Sequence, residues 1–165
     1  MTRTTRTSAP HSCDVAVIGA GVVGCAVARR FALAGASVVV VERGADILSG
    51  ASKANSAILH TGFDAPPGSL ELDLVKAGRE EYLSIHRDLG LSIVKTGALV
   101  CAWTDAEADG LAAIAGQGRE NGIADLDVID ATAVRALMPG LAPEVRAAVE
   151  VCGEHVIDPW SAPLA

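Results

Sequence analysis

The chain has 165 residues, half of them hydrophobic, and a formal net charge of −7. That length suits about one domain, and the negative charge argues against a nucleic-acid partner, which would need a basic face. With two Trp, two Phe and one Tyr, the core has to be built from Ala, Val, Leu and Ile, and no apolar run approaches the roughly 20 residues that cross a bilayer.

The first twelve residues, MTRTTRTSAPHS, are polar and basic and predict a disordered tail over 1–12. They lack the apolar segment of a secretory signal, and Arg3 and Arg6 are not paired as in a twin-arginine signal, so the expected location is cytoplasmic. Cys13, Cys25, Cys101 and Cys152 stand far apart with no C-x-x-C pair, which predicts buried, reduced thiols and no metal site.

The stretch DVAVIGAGVVGCAVARRFALAGASVVVVERG follows. VAVI is a short apolar run of the kind that forms a strand buried on both faces. Gly19, Gly21 and Gly24 then stand in G-x-G-x-x-G spacing, a helical pattern runs to about Ala34, and ASVVVVE reads as a second buried strand ending at Glu42. Gly19 permits the tight strand-to-helix turn, Gly21 leaves room for a pyrophosphate, and Gly24 lets helix and strand pack closely. The helix N-terminus presents unpaired N–H groups and a partial positive charge to the phosphates. A carboxylate at Glu42 accepts hydrogen bonds from ribose hydroxyls, which favours FAD or NAD over NADP; Arg43 beside it is a residue type that can accept a 2′-phosphate. The fingerprint alone does not separate FAD from NAD.

A plain NAD-binding domain would continue with another β-α unit. Here the chain gives RGADILSGASKANSAILHTGFDAPPGS, rich in Ser, Gly and Ala. With the dinucleotide fingerprint and the later HVIDPWSAP, the segment SKANSAILHTGFDAPPGSL resembles the FAD-dependent oxidoreductases of the D-amino-acid-oxidase-like superfamily. Within them it is most similar to the flavin-dependent glycerol-3-phosphate dehydrogenases and oxidases, with L-2-hydroxyglutarate oxidases as the nearest rival. One departure is Ala57, where relatives usually have Gly; a methyl group there would crowd a close backbone approach to the flavin. The resemblance implies that FAD lies along Ser52, Asn55 and Ser56, short polar side chains that hold an extended cofactor without filling its channel. Ser and Asn also satisfy turn backbones, and that reading stays beside the first.

His60 is the candidate catalytic residue. Oxidising a secondary alcohol removes the hydroxyl proton while hydride leaves the adjacent carbon, and a group titrating near neutrality suits that proton transfer. Read from the residues alone, His60 is better explained as a core histidine bonded to a carbonyl. The resemblance implies a place near the reacting face of the flavin, as general base, substrate orienter or flavin tether.

Further on, LELDLVKAGREEYLSIHRDLG predicts an amphipathic helix stopped by Gly90, and His86 falls on it in a packed or surface position. SIVKTGALVCAW reads as strand around a Thr-Gly turn. Thr104 and Glu107 form a capping box for a helix to about Asn121-Gly122. A short helix capped by Asp130 ends at Met138-Pro139, and EVRAAVEVCG reads as another strand. Lys95, Arg119 and Arg135 suit solvated surface positions.

The expected architecture is α/β: a Rossmann-like FAD-binding βαβ unit followed by the start of an α+β substrate-binding domain. The expected division is a tail over 1–12, the N-terminal FAD-binding portion over 13–92, the substrate-binding domain from 93 to 154, and re-entry into the FAD domain over 155–165. The resemblance implies a longer enzyme, of which this is an N-terminal fragment; the alternatives are a 2-hydroxy acid or amine oxidase of the same superfamily, and a non-catalytic dinucleotide-binding fragment. It also implies a small-molecule substrate, a quinone or oxygen as electron acceptor, and peripheral membrane association of the full-length enzyme.

Overall fold

The computed structural model describes residues 12–165, so the tail expectation and His11 fall outside the described residues but for Ser12. The chain forms two compact units, one running to Asn55 and taking in Pro159–Ala165, the other Ser56–Asp158. Among the described residues no helix is long and apolar enough to cross a membrane.

The first unit contains the predicted βαβ element. Strand β1 (Val15–Ile18) and β2 (Val38–Val41) pair in parallel from Val15↔Val38 to Ile18↔Val41, joined by helix α1 (Val22–Leu33). Parallel neighbours need such a crossover, because a hairpin would reverse the chain. Asp14 closes the start of the ladder by accepting the Ser37 N–H and hydroxyl at 2.8 and 2.7 Å. A 3-10 turn (Ala51–Lys53) and a terminal helical turn (Ser161–Leu164) complete the unit. The expectation that both strands are buried on both faces is not met: Ile18 is 90% exposed and Val39, Val40 and Val41 are exposed too. Among the described residues the sheet has two strands, so each has one paired edge, and a single crossover helix can cover only one face.

The second unit holds two antiparallel three-stranded sheets. Strands β3 (Ile58–Leu59), β4 (Ile93–Val94) and β8 (His155–Ile157) make one, in the order β3-β8-β4; β5 (Ala98–Ala102), β6 (Leu126–Asp130) and β7 (Ala147–Val151) make the other, in the order β5-β7-β6. Helices α2 (Leu70–Ile85), α3 (Asp105–Glu120) and α4 (Ala131–Leu137) complete it. Side chains alternate across the β5-β7-β6 sheet with the period of two that a strand imposes. Ala102, Val149 and Val151 join Phe63, Leu111, Ala115 and Leu126 in the main core. Ala148 turns the other way and packs with Val134 and Val145, flanked by Leu99 and Cys101.

The caps are where the sequence places them. Thr104 and Glu107 make the reciprocal capping box of α3, and the Asp130 side chain accepts the Thr132 and Ala133 N–H groups at the start of α4. Regular helix α2 ends at Ile85, and a turn carries the chain on to Gly90, which stands at φ +65 while the Leu91 N–H closes on His86 O at 2.7 Å, so the chain turns away at the predicted glycine. Strands β3, β6 and β8 were not predicted. Two are two or three residues long, too short to show a period, and Asp127 and Asp130 break the apolar pattern of the third. The four cysteines are free as expected, but none is buried; Cys13 and Cys152 are exposed. Cys152 lies in the turn after β7, where desolvation and then the charge of Glu150 push its thiol up.

Ala57 adopts φ +58 and its carbonyl accepts the Ile157 N–H at 2.9 Å. That region of backbone space costs an L-residue roughly 1–2 kcal/mol and costs glycine almost nothing. A glycine at this position would therefore have a backbone reason besides room for a cofactor. Replacing Ala57 with Gly should raise stability by about 0.5 kcal/mol, the strain relief less the added flexibility of the unfolded chain. The urea midpoint of the second unit, read by Trp103 fluorescence, measures it, and a lowered midpoint would remove the strain argument.

Candidate functional site

In the first unit the fingerprint residues line a groove of about 480 Å³ that gathers Gly19, Gly21, Glu42, Arg43 and Ser52. Gly19 stands at φ +101 and its N–H bonds Val41 O at 2.8 Å, so the turn out of β1 is tied to the end of β2. Gly24 lies behind the groove. A Cβ there would run into the Gly19 carbonyl oxygen and sit 3.0 Å from the Gly19 carbonyl carbon, so only glycine lets α1 approach the turn this closely.

Ser52, on the 3-10 turn, accepts the Val22 N–H through Oγ at 3.0 Å. A Cβ on Gly21 would come within 3.1 Å of that Oγ, so Gly21 makes room for the serine as well as for a phosphate. The first-turn N–H groups of a helix have no intrahelical partner. The serine hydroxyl takes one of them and keeps its own proton to donate. Asn55 Nδ2 donates to Ser52 O at 3.1 Å and so braces the turn. Arg43 is exposed on the groove beside Glu42.

Glu42 Oε2 accepts the Ala20 N–H and Oε1 the Gly44 N–H, both at 2.7 Å. These bonds, Ala20 first and Gly44 next, hold the carboxyl below its ordinary value of 4.5. A carboxylate has about four acceptor positions, so two remain for a ligand. A depressed folded-state pKa means the stabilisation is whole above the ordinary value and fades as pH falls through the folded one. Glu42→Gln turns an amide N–H₂ toward a backbone N–H. The variant should melt below the wild type above pH 4.5 and converge with it as the medium becomes more acid. Parallel melting curves across that range would remove the linkage.

In the second unit β3 pairs β8 through Ile58↔Val156 and Leu59↔His155. One residue further along this antiparallel register, His60 stands opposite Glu154. His60 Nδ1 lies 3.1 Å from Glu154 Oε2; the histidine side chain is 43% exposed and the glutamate 2%. Glu154 Oε1 accepts both the N–H and the hydroxyl of Thr61 at 2.7 Å. His60 is therefore not a core histidine satisfied by a carbonyl but an exposed ring held from beneath by a buried carboxylate. His155 is buried, with Nδ1 on Glu154 O at 2.8 Å and Nε2 3.5 Å from Arg79 Nη2. Ser56 is exposed in this unit, just before Ala57.

The groove thus brings together five of the expected residues; Gly24 and Asn55 support it from behind and beside, and Ser56 and His60 belong to the other unit. Lys95, Arg119 and Arg135 are exposed, as expected. Glu154 and Thr61 were not read from the sequence. The available signal was an acid between two apolar runs, in VEVCGEHVI, and only the strand register links it to His60. A second cavity, of about 500 Å³, is bordered mainly by apolar side chains including Leu99, Leu137, Met138 and Leu141, and none of the expected site residues reaches it.

Comparison with known proteins identifies the family. A family profile described as FAD dependent oxidoreductase matches residues 14–162. The chain is 34% identical over 152 residues to a glycerol 3-phosphate dehydrogenase from Caloramator mitchellensis, a match covering 92% of this chain and 32% of that protein. It is 38% identical over 99 residues to the mitochondrial L-2-hydroxyglutarate dehydrogenase of Arabidopsis thaliana, covering 56% of this chain and 20% of the relative. Among solved structures, the dithionite-reduced L-α-glycerophosphate oxidase of Mycoplasma pneumoniae with FAD bound matches with a TM-score of 0.87 at 28% identity, over 94% of this chain and 41% of that one. The chain thus spans less than half the length of each of these proteins. With a match that runs through nearly all of its described residues, the chain belongs to the DAO family of FAD-dependent oxidoreductases.

Proposed function

We propose that this protein uses FAD to oxidise a secondary alcohol, with glycerol 3-phosphate giving dihydroxyacetone phosphate as the favoured reaction. The observation that carries the reading is the groove where Gly19, Gly21, Glu42, Arg43 and Ser52 meet at the N-terminus of α1. Its residues fit the group: helix N–H donors and the Ser52 hydroxyl suit a pyrophosphate, Gly21 keeps the approach open, and Glu42 retains acceptor positions for ribose hydroxyls. Asn55 and Ser56 are two further proposed cofactor contacts, as the resemblance implies. Similarity to a glycerol 3-phosphate dehydrogenase over 92% of the chain supports the substrate.

FAD, when bound, supplies the two-electron oxidant, with a quinone or oxygen as final acceptor. The chain's own part is to hold the nucleotide, orient the alcohol and receive its hydroxyl proton at the His60 ring, whose exposed side meets solvent and whose buried side is held by Glu154. In this reading residues 13–92 serve the cofactor, 93–154 begin the substrate-binding domain on the β5-β7-β6 sheet, and 155–165 return to the cofactor side. A cytoplasmic location with peripheral membrane association belongs to the same proposal, and fractionation in low and high salt tests it.

A second reading rests on the match to L-2-hydroxyglutarate dehydrogenase, 38% identical over 99 residues. Purified, desalted protein should keep a flavin spectrum, and under anaerobic conditions glycerol 3-phosphate should bleach it faster than L-2-hydroxyglutarate. The reverse order favours the second reading. A flavin that neither compound bleaches overturns both.

A further inference from the structure

We propose that Glu154 is the positioning residue for His60, fixing its ring so that Nδ1 carries the proton and the Nε2 lone pair is presented outward as the proton acceptor. The role assigned to that lone pair rests on the reading of His60 as the proton acceptor; the orientation itself does not.

A carboxylate that is 2% exposed is costly unless its oxygens are hydrogen-bonded. Glu154 meets that condition with a division of labour. Oε1 takes both Thr61 donors at 2.7 Å, and Oε2 faces His60 Nδ1 at 3.1 Å. If holding Thr61 were the whole purpose, a glutamine oxygen would serve as well. Only a carboxylate accepts on both oxygens, and the one thing Oε2 gains is an N–H from the imidazole. A hydrogen bond made by one ring nitrogen decides which tautomer the other presents. With Nδ1–H donating to Glu154, Nε2 is left with its lone pair on the exposed side of the ring.

The surroundings make the placement rigid. Arg79 Nη2 donates to Gly153 O at 2.7 Å, anchoring the turn that carries Glu154. A Cβ on Gly153 would lie 2.8 Å from Thr61 Cγ2, so the two segments meet at van der Waals contact. Proton transfer from a substrate hydroxyl breaks its O–H bond, forms Nε2–H and leaves the electron pair on the substrate oxygen. The imidazolium so formed stands beside a carboxylate that neutralises it.

Glu154→Gln tests this. The amide oxygen can keep both Thr61 bonds, but the amide N–H₂ then faces Nδ1, which must become an acceptor, so the ring proton moves to Nε2. Two-bond ¹⁵N–¹H correlation spectra of the full chain, with His60 identified by its loss in His60→Ala, should show Nδ1–H in the wild type and Nε2–H in the variant. Glu154→Asp, which keeps both acceptor oxygens, should retain Nδ1–H and covers the case in which the glutamine variant fails to fold. A wild-type ring protonated on Nε2, or a tautomer unmoved by Glu154→Gln, overturns the inference.

Flavin reduction by glycerol 3-phosphate in FAD-loaded protein separates the two readings. His60→Ala should slow it by about 10²–10⁴-fold, the range of a lost general base. Glu154→Gln should slow it within the same range and add nothing further in the His60→Ala background. A fast His60→Ala enzyme sinks the proton-acceptor reading and leaves the spectra to decide the orientation. A slow His60→Ala beside a fast Glu154→Gln overturns the positioning role.

Discussion

Gly24→Ala is expected to destabilise the first unit by about 2 kcal/mol or more and to release bound flavin. Two effects oppose each other. Alanine is favoured over glycine inside a helix by about 1 kcal/mol, which alone would make the change stabilising. Against it, the new Cβ would run into the Gly19 carbonyl oxygen, with the carbonyl carbon at 3.0 Å and Val17 Cγ1 at 3.5 Å. Overpacking costs typically 1–3 kcal/mol when side chains can shift. Here the obstacle is backbone, fixed by the Gly19 N–H bond to Val41 O at 2.8 Å and by φ +101. The clash therefore wins, and α1 must lift from the turn, taking the Val22 N–H away from Ser52. Gly78→Ala supplies the opposite sign: it lies in α2 of the second unit with nothing within 4 Å of its Cβ, so there the propensity gain of about 0.5–1 kcal/mol should stand alone, as a raised midpoint read through Trp103. Urea unfolding followed through Trp160, in a Trp103→Phe background, reads the first unit, since Trp160 bonds Lys53 O at 3.3 Å within it. A Gly24→Ala midpoint equal to wild type would mean that α1 has slack the geometry does not show.

That contrast also marks what a sequence can and cannot carry. The spacing of Gly19, Gly21 and Gly24 between two valine-rich runs is a local pattern: Gly24 answers Gly19 and Gly19 answers Val41, both within the βαβ stretch, and the strand, turn, helix and second strand follow from it. The capping box at Thr104 and the Asp130 cap are local in the same way. The exposure of Ile18 is not local: an apolar run signals a strand but not how many neighbours that strand will have. Strands β3 and β8 are too short to show a period, and their pairing joins segments nearly a hundred residues apart. Glu154 looks like an ordinary acid in a turn until that pairing sets it opposite His60. Histidine and its partner were thus legible to different degrees, one through its motif and the other only through register.

The buried amide of Asn121 sets the second large effect. Asn121→Ala should cost the second unit about 2–4 kcal/mol. Asn121 is 3% exposed, and its Nδ2 donates to Gly62 O at 2.9 Å and Ala65 O at 2.8 Å, with Phe63 O at 3.3 Å. An intramolecular hydrogen bond contributes only about 1 kcal/mol net, but a buried carbonyl stripped of its donor costs about 1–3 kcal/mol. Gln117 reaches the same loop, with Nε2 on Asp64 O at 3.0 Å and Ala65 O at 3.1 Å, but from a more open position. Water can replace its amide, so Gln117→Ala should cost less than about 1 kcal/mol. Burial, and not the number of bonds, is then what separates the two variants, because Ala65 O accepts from both. Urea midpoints read by Trp103 fluorescence in the second unit test the order. The loop that Asn121 holds begins one residue after Thr61, which shares Glu154 with His60. Loosening it should therefore blur the His60 ring signal as well as lower the midpoint. Equal costs for the two alanine variants would show that the loop is held by the Phe63 packing and not by the buried amide.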